Sequence, residues 1–501
     1  MNHDLVSRWL SQCRGPLAID VVEPTHESTA RHGGSNVSSF RSRTFPARLR
    51  PSSTAQVQSI IRCMPSEAPG LSVYPLSTGR NWGLGSSEPV DDGSAVLELG
   101  KMDAIRLLDA TTGVAVVEPG VTQGALAKRL EGTPWMLNVT ASSAHTSVVG
   151  NAMERGVGLR RQRTEDIIGL EVVLADGTLV HVGAWPGDGN STPYAHGLGP
   201  GLLPLFLQSN LGVVTAAAVQ LIHRPEVIRI SSLHFTQENL EVAVDELRRI
   251  YTRGLAQGVL KVYSPAAVTA YGGRSERQYT AYICTNGTSR VVGAALADIE
   301  DAVRASGSLY DFRCLRPADT VSDVVADAVL HAYAGDPGRN DAMLEASLGV
   351  PAARVDQDSD QGWLFFLPML PFTGEAVSRA RKLLDRVTAE TGVDCGMTIN
   401  GITTELVDLV VTIRFLRTAE NTAGAHQALD LLYEAFPVNG FLPYRVDIDH
   451  MRQVPDLRRD QSQSDLLHRL KSTLDPNHLI APGRYPSSRG SDPEGCHRND
   501  I

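Results

Sequence analysis

The segment Pro75-Leu76-Ser77-Thr78-Gly79-Arg80-Asn81-Trp82-Gly83-Leu84-Gly85-Ser86 sets three glycines among hydroxyl and amide side chains, directly after a short apolar run. A loop of that make-up lets successive backbone N–H groups turn inward on one anion, the geometry that holds a phosphate. It is neither a G-x-x-x-x-G-K-[ST] phosphate loop nor a G-x-G-x-x-G dinucleotide fingerprint, because the lysine is absent and the glycine spacing differs. Taken alone, it reads equally as a surface turn. None of the 14 histidines stands in an H-x-x-x-H or H-x-E constellation. The six cysteines, Cys13, Cys63, Cys284, Cys314, Cys395 and Cys496, are scattered without C-x-x-C spacing. A catalytic metal is therefore not expected, and each thiol reads as a small packed or surface group.

The elements that must position the loop alternate. Gly-rich turns separate the runs Ala95 to Leu99, Gly113 to Glu118, Leu170 to Leu174 and Val213 to Ile222, which read as strands. Asp176-Gly177 predicts a hairpin, since both residues tolerate positive φ. Thr122 precedes a short helix with Ala125, Leu126 and Leu130 on one side. Further on, Leu240, Val244, Leu247 and Tyr251 fall at helical spacing before Gly254, and the strand-like Val259 to Tyr263 follows. Gly362 to Leu367, a helix around Val377, Leu384 and Val387, the run Asp408 to Ile413 and a helix around Leu429 and Leu432 predict a sheet with helices on one face. The fold class is α+β. The divisions expected are residues 1–225, a second domain at 226–439, and a C-terminal return at 440–501 whose polar tail from Ser487 reads as disordered.

Composition narrows the function. The chain has 501 residues, with 46 Lys plus Arg against 56 Asp plus Glu for a net charge of −10, and is 42% hydrophobic and 20% charged. This is a globular composition, long enough for two or three cores. An acidic chain without a Lys/Arg-rich block is not expected to bind nucleic acid. The N-terminus lacks a secretory pattern and no run approaches a membrane span, so a cytoplasmic protein is expected.

Six segments occur in the order of a known family: Ser77 to Gly85, Val117 to Thr122, Val149 to Gly158, Gly169 to Gly177, Gln208 to Thr215, and Asp475 to Tyr485. On these the chain resembles FAD-linked oxidoreductases of the vanillyl-alcohol oxidase and p-cresol methylhydroxylase type. The resemblance implies an FAD-binding domain of two α+β subdomains, completed by the C-terminal segment, and a cap with an antiparallel sheet covered by helices. It implies that the pyrophosphate rests on Ser77, Thr78, Gly79, Arg80, Asn81 and Gly83. Pro119 and Gly120, Ser147, Gly150 and Asn151, Gly156 and Gly158, and Gly212, Val213 and Val214 would line the rest of the cofactor. Backbone amides and glycines suit that task, though a turn leading into a strand also accounts for Gly156 and Gly158.

The same resemblance places Tyr444-Arg445 at the substrate and flavin. A phenol and a guanidinium together hold an oxyanion, and the cation stabilises a reduced flavin; the alternative is a surface Arg445 paired with Asp447 or Asp449. His145, three residues before the Val148-Val149-Gly150-Asn151 turn, is a candidate base or a structural histidine.

Departures from the family pattern count as well. Trp363 stands where vanillyl-alcohol oxidase has the histidine bonded to its flavin, so non-covalent FAD is expected. Leu84 replaces a tyrosine that helps bind a phenolate, and the family's Asp beside flavin N5 has no clear counterpart. The Arg160, Arg161 and Arg163 cluster reads as an anion site or a solvated loop. The function implied is hydride transfer from a small organic substrate, of specialised-metabolite kind, to flavin N5, with electrons passing to O2 or another acceptor and a homodimer as the assembly. The rivals are an oxidative tailoring or cyclising catalyst and a flavin-binding or electron-transfer subunit without turnover.

Overall fold

The computed structural model describes residues 3–23, 36–80, 82–85, 87–187, 192–275, 277–458 and 460–486; the tail from Ser487 lies outside them. Near the N-terminus, Ser53 Oγ accepts the Gln56 N–H and starts the helix Thr54–Glu67. Its buried Val57, Ile60, Ile61 and Met64, at i, i+3, i+4 and i+7, share a core with Leu49, Val73 and Leu97. Those last three belong to a four-stranded sheet ordered Asp20–Val22, Arg48–Arg50, Ala95–Glu98, Val73–Leu76, in which Ala95–Glu98 runs parallel to both neighbours. The chain leaves Val73–Leu76 directly into the Ser77 to Gly85 loop. The C-terminal segment lies beside the same strand, with the Val73 N–H donating to Leu479 O and the Ala481 N–H to Val73 O, both at 2.8 Å.

A second sheet is antiparallel throughout, ordered Ile105–Asp109, Val114–Val117, Val213–Gln220, Ile167–Val173, Leu179–Gly183. The Asp176-Gly177 hairpin forms, with Val173 opposite Leu179 and Gly177 at φ +79°. Thr122 Oγ1 caps the helix Gln123–Arg129 by accepting the Ala125 N–H.

The third sheet has eight strands, in the order Tyr310–Leu315, Val227–Phe235, Tyr279–Gly287, Leu260–Tyr263, Cys395–Gly401, Leu406–Leu416, Gln361–Pro371, Pro443–Arg445, and every pairing is antiparallel. Alternation gives each central strand two faces. Val262, Ile399, Leu409, Val411 and Phe366 pack into one core with residues of the helices Leu240–Thr252, Gly374–Thr391 and Ala419–Val438. The intervening residues face the other way. The strand Cys395–Gly401 carries no sequence signal, because two glycines and an asparagine interrupt any run of β-formers; it is nevertheless buried at every position between two neighbours.

Candidate functional site

Helices do not cover only one face of the third sheet as expected, because the short helix Pro265–Ala270 packs on part of the other; beside it that face presents two rows. Lys261, Asn400 and Asp408 are direct cross-strand neighbours, and so are Tyr263, Thr398 and Val410 one step along. All six line one cavity of about 290 Å³. An aromatic wall adjoins them: the Tyr271 and Trp363 rings meet edge-on at 5.7 Å, and Trp363 and Phe365 lie 5.4 Å apart. The Trp363 indole N–H is buried without a partner among the described residues.

The opposite side of the cavity is built by the loop and the Ser147 turn. Ser77, Thr78, Gly79 and Arg80 line it, as do Pro119, Ser147, Gly150, Asn151 and Gly156, with Gly212 and Val214 farther along. Among the described residues none accepts a hydrogen bond from the N–H of Thr78, Gly79 or Arg80. Ser147 Oγ donates to Pro119 O at 2.6 Å and accepts the Gly150 N–H at 2.9 Å, which ties two of these segments together. A side chain at Gly150 would collide with Ser77, its Cβ falling 2.2 Å from Ser77 Oγ. Gly83, Gly120, Gly158 and Val213 do not line the cavity, and Asn81 lies outside the described residues. Gly120 instead packs on the Gly100 carbonyl, and Gly158 on the Asn138 amide.

Tyr444 and Arg445 end the last strand and both line the cavity. Arg445 pairs with neither Asp447 nor Asp449; its Nε lies 3.5 Å from Glu154 Oε2. Arg484 bonds the other oxygen of the same carboxylate and the Tyr74 hydroxyl, and the Tyr485 hydroxyl donates to Glu154 Oε2 at 2.9 Å. Burial opposes ionisation of Glu154, but the Arg484 and Arg445 charges outweigh it and hold the carboxyl below its ordinary value. Burial keeps the Tyr444 phenol protonated, well above its ordinary range. On the cap side, burial pulls the Lys261 ammonium down to about 8 against the attraction of Asp408. Burial likewise pushes Asp408 up to about 6, opposed by the Asn400 hydrogen bond and Lys261.

His145 is not brought to this site. Its side chain is 54% exposed and lies 3.9 Å from Asp341. The arginine cluster is also occupied elsewhere: Arg161 and Arg163 pair with the buried Asp166 at 2.7 and 3.0 Å, and Arg160 bonds Cys284 Sγ and Asn286. None of the three lines the cavity. Residue-type reasoning passed over Glu154, Arg484, Lys261, Asn400 and Asp408. The available signal was a charge inside an otherwise apolar strand, at Lys261 in Val259 to Tyr263 and at Asp408 in Asp408 to Ile413.

A cavity lined by loop amides that bond no described residue, by Gly150 and by Arg445 and Arg484 suits a phosphate-bearing cofactor with a planar redox ring. Comparison with known proteins agrees. Residues 46–183 match the FAD binding domain family. The chain is 27% identical to the 1'-carboxy-chondrochloren decarboxylase of Chondromyces crocatus, over 97% of this chain and 98% of that one. It is 26% identical to the flavoprotein subunit of 4-cresol dehydrogenase [hydroxylating] of Pseudomonas putida, over 87% of each. The crystal structure of p-cresol methylhydroxylase with substrate bound superposes with a TM-score of 0.83 at 23% identity, covering 96% of each chain. Among the described residues no helix is long and apolar enough to cross a membrane.

Proposed function

We propose that this chain, an FAD-dependent oxidoreductase with the fold of p-cresol methylhydroxylase, removes a hydride from a carbon of a small organic substrate seated between the Ser77 to Arg80 loop and the cap sheet. The observation that carries the reading is that Tyr444 and Arg445 line the same cavity as that loop and the Ser147 turn. FAD supplies the two-electron acceptor when bound, and Ser77, Thr78, Gly79, Arg80, Ser147, Gly150 and Asn151 are the residues that would hold it.

The chain's own groups do the positioning. Arg445 and Arg484 share the single carboxylate of Glu154, so the trio keeps one positive charge toward the cavity. A fixed buried cation favours an oxygen on which negative charge develops, and the protonated Tyr444 hydroxyl is a donor to the same atom. Asp408, with its carboxyl at about 6, is suited to take a proton near neutral pH. Tyr271, Trp363 and Phe365 exclude water. Trp363, which offers the flavin no bonding nucleophile, stands on the wall of the cavity, and on this ground FAD is read as held without a covalent bond. Leu84, on the same wall, removes a phenolate anchor and moves the substrate from simple 4-alkylphenols toward a specialised metabolite, with O2 or another small acceptor taking the electrons.

A second reading, oxidative decarboxylation of a substrate acid, is supported by likeness to a decarboxylase over nearly the whole of both chains. Release of CO2 separates the two. The test of the shared reading is anaerobic mixing of the yellow protein with benzylic alcohols, phenols, amines and hydroxy acids. Bleaching of the flavin by at least one class supports it, and a flavin that stays oxidised with all of them sinks it.

A further inference from the structure

The row Lys261, Asn400, Asp408 spans three adjacent strands, and its first member has no counterpart charge in contact. The three side chains line the cavity and are 6%, 2% and 1% exposed. Asn400 Nδ2 donates to Asp408 Oδ2 at 3.0 Å, which leaves Asn400 Oδ1 and Asp408 Oδ1 buried without partners among the described residues. The Lys261 ammonium donates to no described group and pairs with no described carboxylate; it lies 5.5 Å from the centre of the Tyr263 ring.

A buried amide or carboxylate oxygen without a donor is unfavourable, and an ammonium whose described neighbour is only an aromatic ring gains from an acceptor. Read along the sheet, the row offers a cation, then an amide oxygen, then a carboxylate oxygen. Its complement is an anion with an O–H or N–H beside it. One ammonium, with no second cation in the row, matches a singly charged carboxylate rather than a phosphate. An alkyl chain would leave all three groups unpaired, and a neutral phenol, with one hydroxyl, would leave the ammonium without a counter-charge.

We propose that Lys261 is the substrate-carboxylate subsite of this protein, and that the substrate is an acid whose adjacent hydroxyl or amide N–H is taken by Asn400 Oδ1 and Asp408 Oδ1. This rests on the reading of the cavity as the site of oxidation. Arg445 and Arg484 share the one carboxylate of Glu154, whereas Lys261 pairs with no described carboxylate, so Lys261 is the cation beside Asn400 and Asp408 that a substrate carboxylate would meet.

The test is anaerobic binding of matched acid and amide pairs to the FAD-loaded protein, 4-hydroxymandelate against 4-hydroxymandelamide and lactate against lactamide. Binding is followed by calorimetry and by perturbation of the flavin absorbance. At least one acid is expected to bind about tenfold or more tightly than its amide, as a charge-assisted hydrogen bond predicts. Lys261→Met abolishes that preference and Lys261→Arg retains it, with FAD content unchanged in both. If Lys261→Met does not fold, Lys261→Gln takes its place in the same comparison. Equal binding of acid and amide by the unsubstituted protein, binding of none of the acids, or a preference that survives loss of the ammonium overturns the proposal. A Lys261-dependent preference with a flavin that no acid bleaches would leave the subsite standing and remove the oxidation reading instead.

Discussion

The Phe365 ring occupies the space that a side chain at Gly83 would need: a Cβ there falls 2.1 Å from Phe365 Cδ2. The Phe365 N–H also donates to Gly83 O at 3.0 Å, and Gly83 sits at φ +85°. This contact fastens the loop of the cofactor domain to a strand of the cap, so that floor and ceiling of the cavity are held as one piece. Gly83 thus serves the site by joining its two walls rather than by lining it.

Gly83→Ala is expected to destabilise the protein by roughly 1–2 kcal/mol through the left-handed backbone and roughly 1–3 kcal/mol through overpacking against Phe365. Thermal unfolding with simultaneous detection of flavin release checks this. An unchanged Tm would show that loop and cap are not coupled there.

Glu154→Gln strips the shared carboxylate from Arg445 and Arg484 and leaves two buried cations uncompensated, a loss of about 3–5 kcal/mol for a broken buried pair. The folded carboxyl lies below its ordinary value, so its stabilisation is complete above the unfolded pKa and disappears as pH falls through the folded one. Unfolding measured from neutral pH downward should therefore show the unsubstituted and substituted proteins converging in acid.

Asp408 behaves with the opposite sign. Its folded carboxyl is raised to about 6, so the unsubstituted protein loses stability as pH rises from the ordinary carboxylate range through that value. Asp408→Asn removes the loss, and the difference in unfolding free energy between the two proteins, measured by denaturant titration, should open between about pH 4 and 6 and stay level above it, by an amount on the order of 1–3 kcal/mol.

Tyr444→Phe should slow anaerobic flavin bleaching by about 10²-fold, the scale for removing one preorganised oxyanion donor, with FAD content intact. His145→Ala should leave bleaching unchanged, because its imidazole stands outside the cavity. The reverse pattern in rapid-mixing traces would reassign the chemistry.

Acid precipitation of the purified protein should leave the yellow flavin in the supernatant. Colour retained in the pellet would mean that a side chain other than Trp363 has captured the cofactor.

Local signals were sufficient for much of the architecture. Thr122 caps its helix, Asp176-Gly177 turns its hairpin, and Leu240, Val244 and Leu247 bury one helix face. Each rests on interactions within a few residues, which spacing and side-chain type encode directly. The strand Cys395–Gly401 could not be read this way, because its β conformation is imposed by neighbours on both sides.

The candidate site divides along the same line. The amino-acid order by itself determined the six ordered segments on which the chain resembles a known family, and through that resemblance it pointed to the Ser77 to Gly85 loop, the Ser147 turn and the Tyr444-Arg445 pair; taken alone, the loop read equally as a surface turn. Only the tertiary structure decided that Arg484 and Arg445 meet on Glu154, that Arg163 is spent on Asp166, and that Lys261, Asn400 and Asp408 form one row. The Glu154 and Lys261 groupings join segments far apart in the chain, and burial, not residue type, sets which charges are paired and which are left to meet a ligand.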